Sequence, residues 1–138
     1  FAKYHPGGTL GKKLYLRVSD LVANNEVPRV TPGASIKDVI VEISEKRLGT
    51  TAVVEGDKLI GIITDGDIRR MLERNADIKS LTAADVMSAN PIQVESDTMA
   101  VKALDIMEDN NITQILVTEN GKYVGVVHFH DLLKEGII

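Results

Sequence analysis

Cysteine and tryptophan are both absent from the 138 residues. With no thiol, the chain forms no disulfide and offers no thiolate as nucleophile or metal ligand, which fits a reducing compartment such as the cytoplasm. Aromatic residues make up 4%, so a core must be packed from aliphatic side chains. No apolar run is long enough to span a bilayer and no charged-then-apolar leader opens the chain, so a membrane is not an expected partner. Basic charge is in short supply as well. Lys and Arg number 16 against 20 Asp and Glu, a net charge of −4. A phosphate backbone needs a basic face, so nucleic acid is not an expected partner either. Metal ligands are sparse too. His128 and His130 would point the same way on a strand, yet zinc takes three or four ligands and no third is near in sequence. No metal is expected, and the two imidazoles read as polar lining.

What is present is a hydrophobic content of 43%, enough for one compact domain or two half-domains sharing a core. The chain opens on Phe1 rather than Met and reads as part of something longer. Its densest signal is the apolar run Leu59-Ile60-Gly61-Ile62-Ile63, which stops abruptly at Thr64-Asp65-Gly66-Asp67. Ile68, Met71 and Leu72 then recur at helical spacing, so the stretch predicts a buried strand turning into a helix. Such a turn gathers a hydroxyl, two carboxylates and free backbone N–H groups, where a polar ligand can be held. For one occurrence the simpler explanation is an N-cap made by Asp65 or Asp67.

The pattern occurs twice. Asp67 and Asp131 differ by 131 − 67 = 64, and the same offset pairs Gly61 with Gly125, Lys58 with Lys122, Glu55 with Glu119, Val53 with Val117 and Val30 with Val94. A constant offset held over this length marks two tandem copies of one supersecondary unit. In the first copy Val18–Val22 predicts a short helical turn, and Pro28 holds Val27–Val30 extended. Ser35 caps a helix that buries Ile36, Val39, Ile40 and Ile43, with Gly49 as its left-handed stop. Strands over 51–55 and 59–64 follow, joined by a hairpin at Gly56-Asp57-Lys58, and then a helix from Asp65 to about Arg74. The second copy opens at 83–87. It has a helix over 98–109 burying Val101, Leu104 and Met107, strands over 114–118 and 123–127, a turn at Asn120-Gly121 and a last helix from about His130. The fold class is α+β, with β-α-β-β-α occurring twice and pseudo-twofold symmetry. Residues 1–17 form a leader, 18–75 the first repeat and 76–138 the second. Neither copy can bury its apolar face alone, so the two are expected to share a core and frame two clefts.

That order, the tandem copy and the run Gly61-Ile62-Ile63-Thr64-Asp65-Gly66-Asp67 together resemble a CBS-domain pair, or Bateman module, over about Val18 to the C-terminus. The resemblance implies clefts that bind adenine or related nucleotides. Thr64 and Asp67 would meet the ribose, Val30, Thr50 and Thr51 would lie near the base, and Arg69 or Arg70 would reach phosphate. In the second copy Asp131 matches, but His128 stands where the motif has Thr, which implies a weaker contact there. Tyr123 and Phe129 are candidates to stack on a base, although packing is the commoner fate of a strand-end aromatic. The leader His5-Pro6-Gly7-Gly8-Thr9-Leu10-Gly11-Lys12-Lys13-Leu14 is similar to the junction of arabinose 5-phosphate isomerases, in which a sugar-isomerase domain precedes two CBS repeats. By that resemblance His5 is a catalytic residue of the parent enzyme. The parent would interconvert D-arabinose 5-phosphate and D-ribulose 5-phosphate for synthesis of Kdo, a lipopolysaccharide sugar of Gram-negative bacteria.

Aldose–ketose isomerisation needs a base, a group that assists ring opening and a phosphate cradle. Only His5 is present, so the chain alone is expected to be inactive. The expected role is regulatory, with no cofactor and with an adenine nucleotide or a CMP-sugar as ligand. The expected assembly is a homodimer of pairs within a homotetrameric parent. The alternative is an oligomerisation scaffold with no bound ligand. A domain catalytic in its own right is disfavoured by the missing constellation.

Overall fold

In the computed structural model, which describes residues 11, 14–74 and 77–137, each apolar run of the repeat becomes a strand and each amphipathic segment a helix. In chain order these are α1 (Val18–Val22), β1 (Arg29–Val30), α2 (Ile36–Lys46), β2 (Thr50–Glu55), β3 (Lys58–Thr64) and α3 (Asp65–Arg74). After a 3-10 turn at Ile78–Ser80 come α4 (Ala83–Val86), β4 (Ser88–Ala89), β5 (Gln93–Glu95), α5 (Ala100–Asn110), β6 (Gln114–Glu119), β7 (Lys122–His128) and α6 (Phe129–Lys134). The class is the expected mixed α+β. Two compact units divide the chain. One takes Val27–Ile92 with Gly121–Tyr123; the other takes the chain up to Glu26 with Gln93–Asn120 and Val124–Ile138.

The first of these units is built on a sheet in the order β1-β2-β3-β4. β1 runs parallel to β2, with Val30 opposite Val53, and β2 runs antiparallel to β3, with Thr50 opposite Thr64 and Val53 opposite Gly61. β4, which no sequence pattern announced, adds two residues to the β3 edge. Val39 and Ile43 of α2 pack on Val53 and Ile63. The Ser35 hydroxyl accepts from Asp38 N–H at 3.2 Å, the predicted cap. Two expectations for α2 need correction. Ile40 is 38% exposed, at the rim of the apolar face rather than within it. The left-handed residue that ends the helix is Arg47, with φ 59°, and Gly49 supplies a second positive φ only after it.

The other unit orders its strands β5-β6-β7, with β5 parallel to β6. Its core includes Val18 and Leu21 of α1, Met107, Ile115, Val127 and Leu132. α5 turns Ala100, Ala103 and Met107 inward and leaves Val101 and Leu104 half-buried, a correction to the predicted face. Alanines on the inner face let a helix lie close to a sheet, which larger side chains would prevent. The β6–β7 turn places Asn120 and Gly121 at φ 53° and 82°, the pair of left-handed residues that a two-residue hairpin demands.

Repeat boundaries and compact units divide the chain differently, and the paired glycines give the reason. A Cβ on Gly61 would overlap the Met87 thioether at the end of α4, and one on Gly125 would lie 2.7 Å from a methyl of Val22 in α1. Each strand is bare where a short helix from the other sequence repeat is laid against it. α1 therefore belongs with the strands of the second repeat, and α4 with those of the first.

Candidate functional site

β3 delivers Thr64 to the first turn of α3, and the side chains close on one another there. The Thr64 N–H and hydroxyl donate to Asp67 Oδ2 at 2.9 and 3.1 Å, and Asp67 N–H donates back to Thr64 Oγ1 at 3.2 Å. These are the reciprocal bonds of a capping box, and they satisfy amides that the start of a helix leaves without partners. Arg70 Nη2 donates to the outer oxygen, Asp67 Oδ1, at 2.7 Å. Its side chain is 56% exposed while that of Asp67 is 11% exposed. The carboxylate is thus held from within on one oxygen and met by an exposed cation on the other.

Of the remaining first-repeat candidates, Thr50 sits beside Thr64 in the ladder. Thr50 and Thr51 are fully buried, and their hydroxyls donate to the carbonyls of Ile63 and Ala52. Val30 is half-buried against the core. Its register with Val53 and Gly61 sets it three residues, about 10 Å, along the strands from Thr64. Arg69 is exposed. The turn therefore brings together Thr64, Asp67 and Arg70, with Thr50 alongside, and leaves Val30 apart.

Asp67 and Arg70 also border a shallow depression of about 170 Å³, completed by Met71, Arg74, Asp85 and Val86. Arg74 and Asp85 escaped the reading of the sequence. Arg74 lies four residues beyond Arg70 and so shares its helix face. Asp85 is announced by a second Thr-x-x-Asp, in which Thr82 N–H donates to Asp85 Oδ2 at 2.8 Å.

The second copy repeats this turn with different chemistry. His128 N–H donates to Asp131 Oδ2 at 2.7 Å, and the imidazole Nδ1 accepts from His130 N–H at 3.0 Å. The rings of His128 and His130 stack with centroids 4.6 Å apart, 7° from parallel. Burial pushes the His128 pKa below its ordinary 6.5, the charge of His130 pushes the same way, and Asp131 opposes them. Asn25 donates from Nδ2 to Asp131 Oδ2 at 2.8 Å and to the Val126 carbonyl at 3.0 Å. Among the described residues, no three His, Asp or Glu side chains converge as a metal site would require.

Tyr123 is 4% exposed, donates from its hydroxyl to the Pro28 carbonyl at 2.6 Å and lies under the Arg29 guanidinium at 5.4 Å from the ring centre. Burial drives its phenol far above the usual range, with Arg29 opposing. Phe129 packs half-buried on the core. Both aromatics serve packing. His5 lies outside the described residues.

The family profile for the CBS domain matches residues 18–74 and 83–137. The chain is 44% identical over 140 residues to arabinose 5-phosphate isomerase KdsD of Yersinia pestis. That match takes in 100% of this chain but 43% of the relative, so the chain spans less than half of that protein's length. Among solved structures, a CBS domain protein from Pyrobaculum aerophilum complexed with AMP is similar at a TM-score of 0.76 and 25% identity, covering 85% of this chain and 90% of that one. The crystal structure of another CBS domain reaches a TM-score of 0.79 at 20% identity, covering 88% and 98%, a likeness of fold. No helix among the described residues is long and apolar enough to cross a membrane.

Proposed function

The chain belongs to the CBS-domain family, and on that premise we propose that it is the regulatory nucleotide-binding pair of a D-arabinose 5-phosphate isomerase. The parent interconverts D-arabinose 5-phosphate and D-ribulose 5-phosphate in the cytoplasm, for Kdo and lipopolysaccharide synthesis. An adenine nucleotide or a CMP-sugar binds the pair and shifts the enzyme between states, which requires different affinity for those states. The pair assembles as a homodimer within the larger enzyme. Identity to the isomerase along the whole chain supports the parent, and the AMP complex of a relative supports the ligand class.

The observation that carries the ligand reading is the spare capacity of Asp67. An ionised carboxylate has about four acceptor positions, and three donors reach this one, two from Thr64 and one from Arg70. One position is open to a ribose hydroxyl, and a second opens when Arg70 turns toward a phosphate. That turn costs little, because the Arg70 end is open to solvent and an ion pair three residues apart on a helix contributes about 0.5 kcal/mol.

The scaffold reading has one observation in its favour: the Thr64 hydroxyl already gives and takes a bond within the turn. Thermal shift against AMP, ADP, ATP, CMP, GTP and CMP-Kdo separates the two. A true ligand at a hundredfold excess over its Kd stabilises by about 2.7 kcal/mol. A chain that runs as a dimer and responds to none of the six is a scaffold.

A further inference from the structure

The two copies of the turn differ in a way that has a chemical consequence. In the first, one hydroxyl performs two tasks: Thr64 Oγ1 accepts from the amide of Asp67 and donates to its carboxylate. An imidazole ring nitrogen cannot do both. In the second copy the tasks are divided, with His128 Nδ1 accepting from the amide of His130 and Asn25 Nδ2 donating to the carboxylate of Asp131. We propose that this division makes the His130 amide bond of the second copy's turn a proton switch, closed while the His128 ring is neutral and released when it is protonated, whereas the Thr64 hydroxyl in the same place of the first copy does not titrate.

The physical reason lies in the acceptor. Neutral imidazole offers one nitrogen lone pair, and imidazolium offers none. Protonation at Nδ1 turns the partner of the His130 amide into a second donor facing it. The charged groups acting on the ring are His130, stacked upon it, and Asp131, and both lie on α6. The groups reaching the turn from outside that helix are the Asn25 amide and the Thr113 carbonyl, which accepts from Phe129 N–H at 2.8 Å, and neither carries a charge. Half-burial and the stacked neighbour keep the ring neutral to a pH below 6.5, so the switch opens only on acidification. Loss of the bond to His128 Nδ1 frees the His130 amide in the first turn of α6, while the His128 N–H and Asn25 keep their hold on Asp131 Oδ2. Any effect of the switch on a ligand rests on the nucleotide reading; the switch itself does not.

The test needs no ligand. A pH titration of the ¹⁵N-labelled chain from 7.5 to 5, followed by two-dimensional NMR and amide hydrogen exchange, reports the His128 ring and the His130 and Asp67 amides separately. The expected result is that the His130 amide shifts and loses protection in step with ring protonation, at least tenfold across the transition, while the Asp67 amide does not change. His128→Thr is expected to restore the undivided hydroxyl and to abolish the pH response at residue 130. An His130 amide that keeps its protection while the ring protonates overturns the proposal. So does a response that persists unchanged in His128→Thr. Because AMP is absent throughout, failure here leaves the nucleotide reading standing, and failure to bind AMP leaves the switch standing.

Discussion

Replacing Asp67 separates the structural work of this side chain from any work on a ligand. Asp67→Ala removes the acceptor for the Thr64 N–H and hydroxyl, a capping loss of about 1 kcal/mol. It removes a negative charge from the first turn of α3, about 0.5 kcal/mol. It also removes the Arg70 pair, about 0.3 kcal/mol at that exposure. These losses share one side chain and are not strictly additive, so the expected destabilisation is about 1–2 kcal/mol. Asp67→Asn keeps an acceptor oxygen for the turn and loses the charge, so it should cost less than about 1 kcal/mol. Urea denaturation read by circular dichroism measures both, with the midpoint falling and the slope unchanged. A variant Asp67→Ala as stable as the parent chain would show that the carboxylate does not hold the turn. A loss above about 4 kcal/mol would point to a different mechanism, such as rearrangement of the β3–α3 junction. Asp67→Asn is therefore the variant for binding work, being close to the parent in stability while lacking the charge that a ribose diol would meet.

Three further outcomes can be checked. Asn25→Ala strips a charge-assisted bond from Asp131 and a bond from the Val126 carbonyl and should cost about 1–2 kcal/mol in the same assay. Combined with His128→Thr it should cost measurably less, because the new hydroxyl takes over the lost donor; additive losses would refute that substitution of roles. Tyr123→Phe deletes the buried bond to the Pro28 carbonyl, but that oxygen keeps the Ala52 N–H at 3.3 Å, so the loss should stay near 1 kcal/mol and a value above about 3 would contradict it. The purified 138-residue chain should give no turnover in a coupled assay with arabinose 5-phosphate, and sustained turnover would place a complete catalytic site within it.

Much of the fold was legible because the repeat states it twice. The offset of 64 residues and the stop at Thr64 located both hairpins and the start of α3 within a residue or so. Where the sequence misled, a neighbour distant in the chain had in some cases decided the matter. Gly49 looked like the end of α2, yet Arg47 takes the left-handed turn first, with its N–H donating to the Ile43 carbonyl at 3.1 Å. Val101 and Leu104 are larger than Ala100 and Ala103, and periodicity weighs size, whereas close approach to the sheet selects the alanines. β4 has two residues, too few to carry a pattern. The exchange of α1 and α4 between sequence repeats leaves one trace, the matched bare glycines at 61 and 125, and only the side chains laid against them explain it. At the site, the family resemblance pointed to Thr64 and Asp67 and left Arg69 and Arg70 as alternatives; the structure bonds Arg70, not Arg69, to Asp67. Asn25 was not legible, since its partner lies 131 − 25 = 106 residues away. The buried hydroxyls of Thr50 and Thr51 were equally hidden, because strand alternation does not reveal a strand covered on both faces.

Isothermal titration of AMP into the chain and into Asp67→Asn tests the nucleotide reading most directly. The parent chain is expected to release or absorb heat on saturable binding, and Asp67→Asn to weaken that binding at least tenfold while remaining folded. Equal affinity in both proteins, or no saturable heat in either when CMP-Kdo is also without effect, would contradict it.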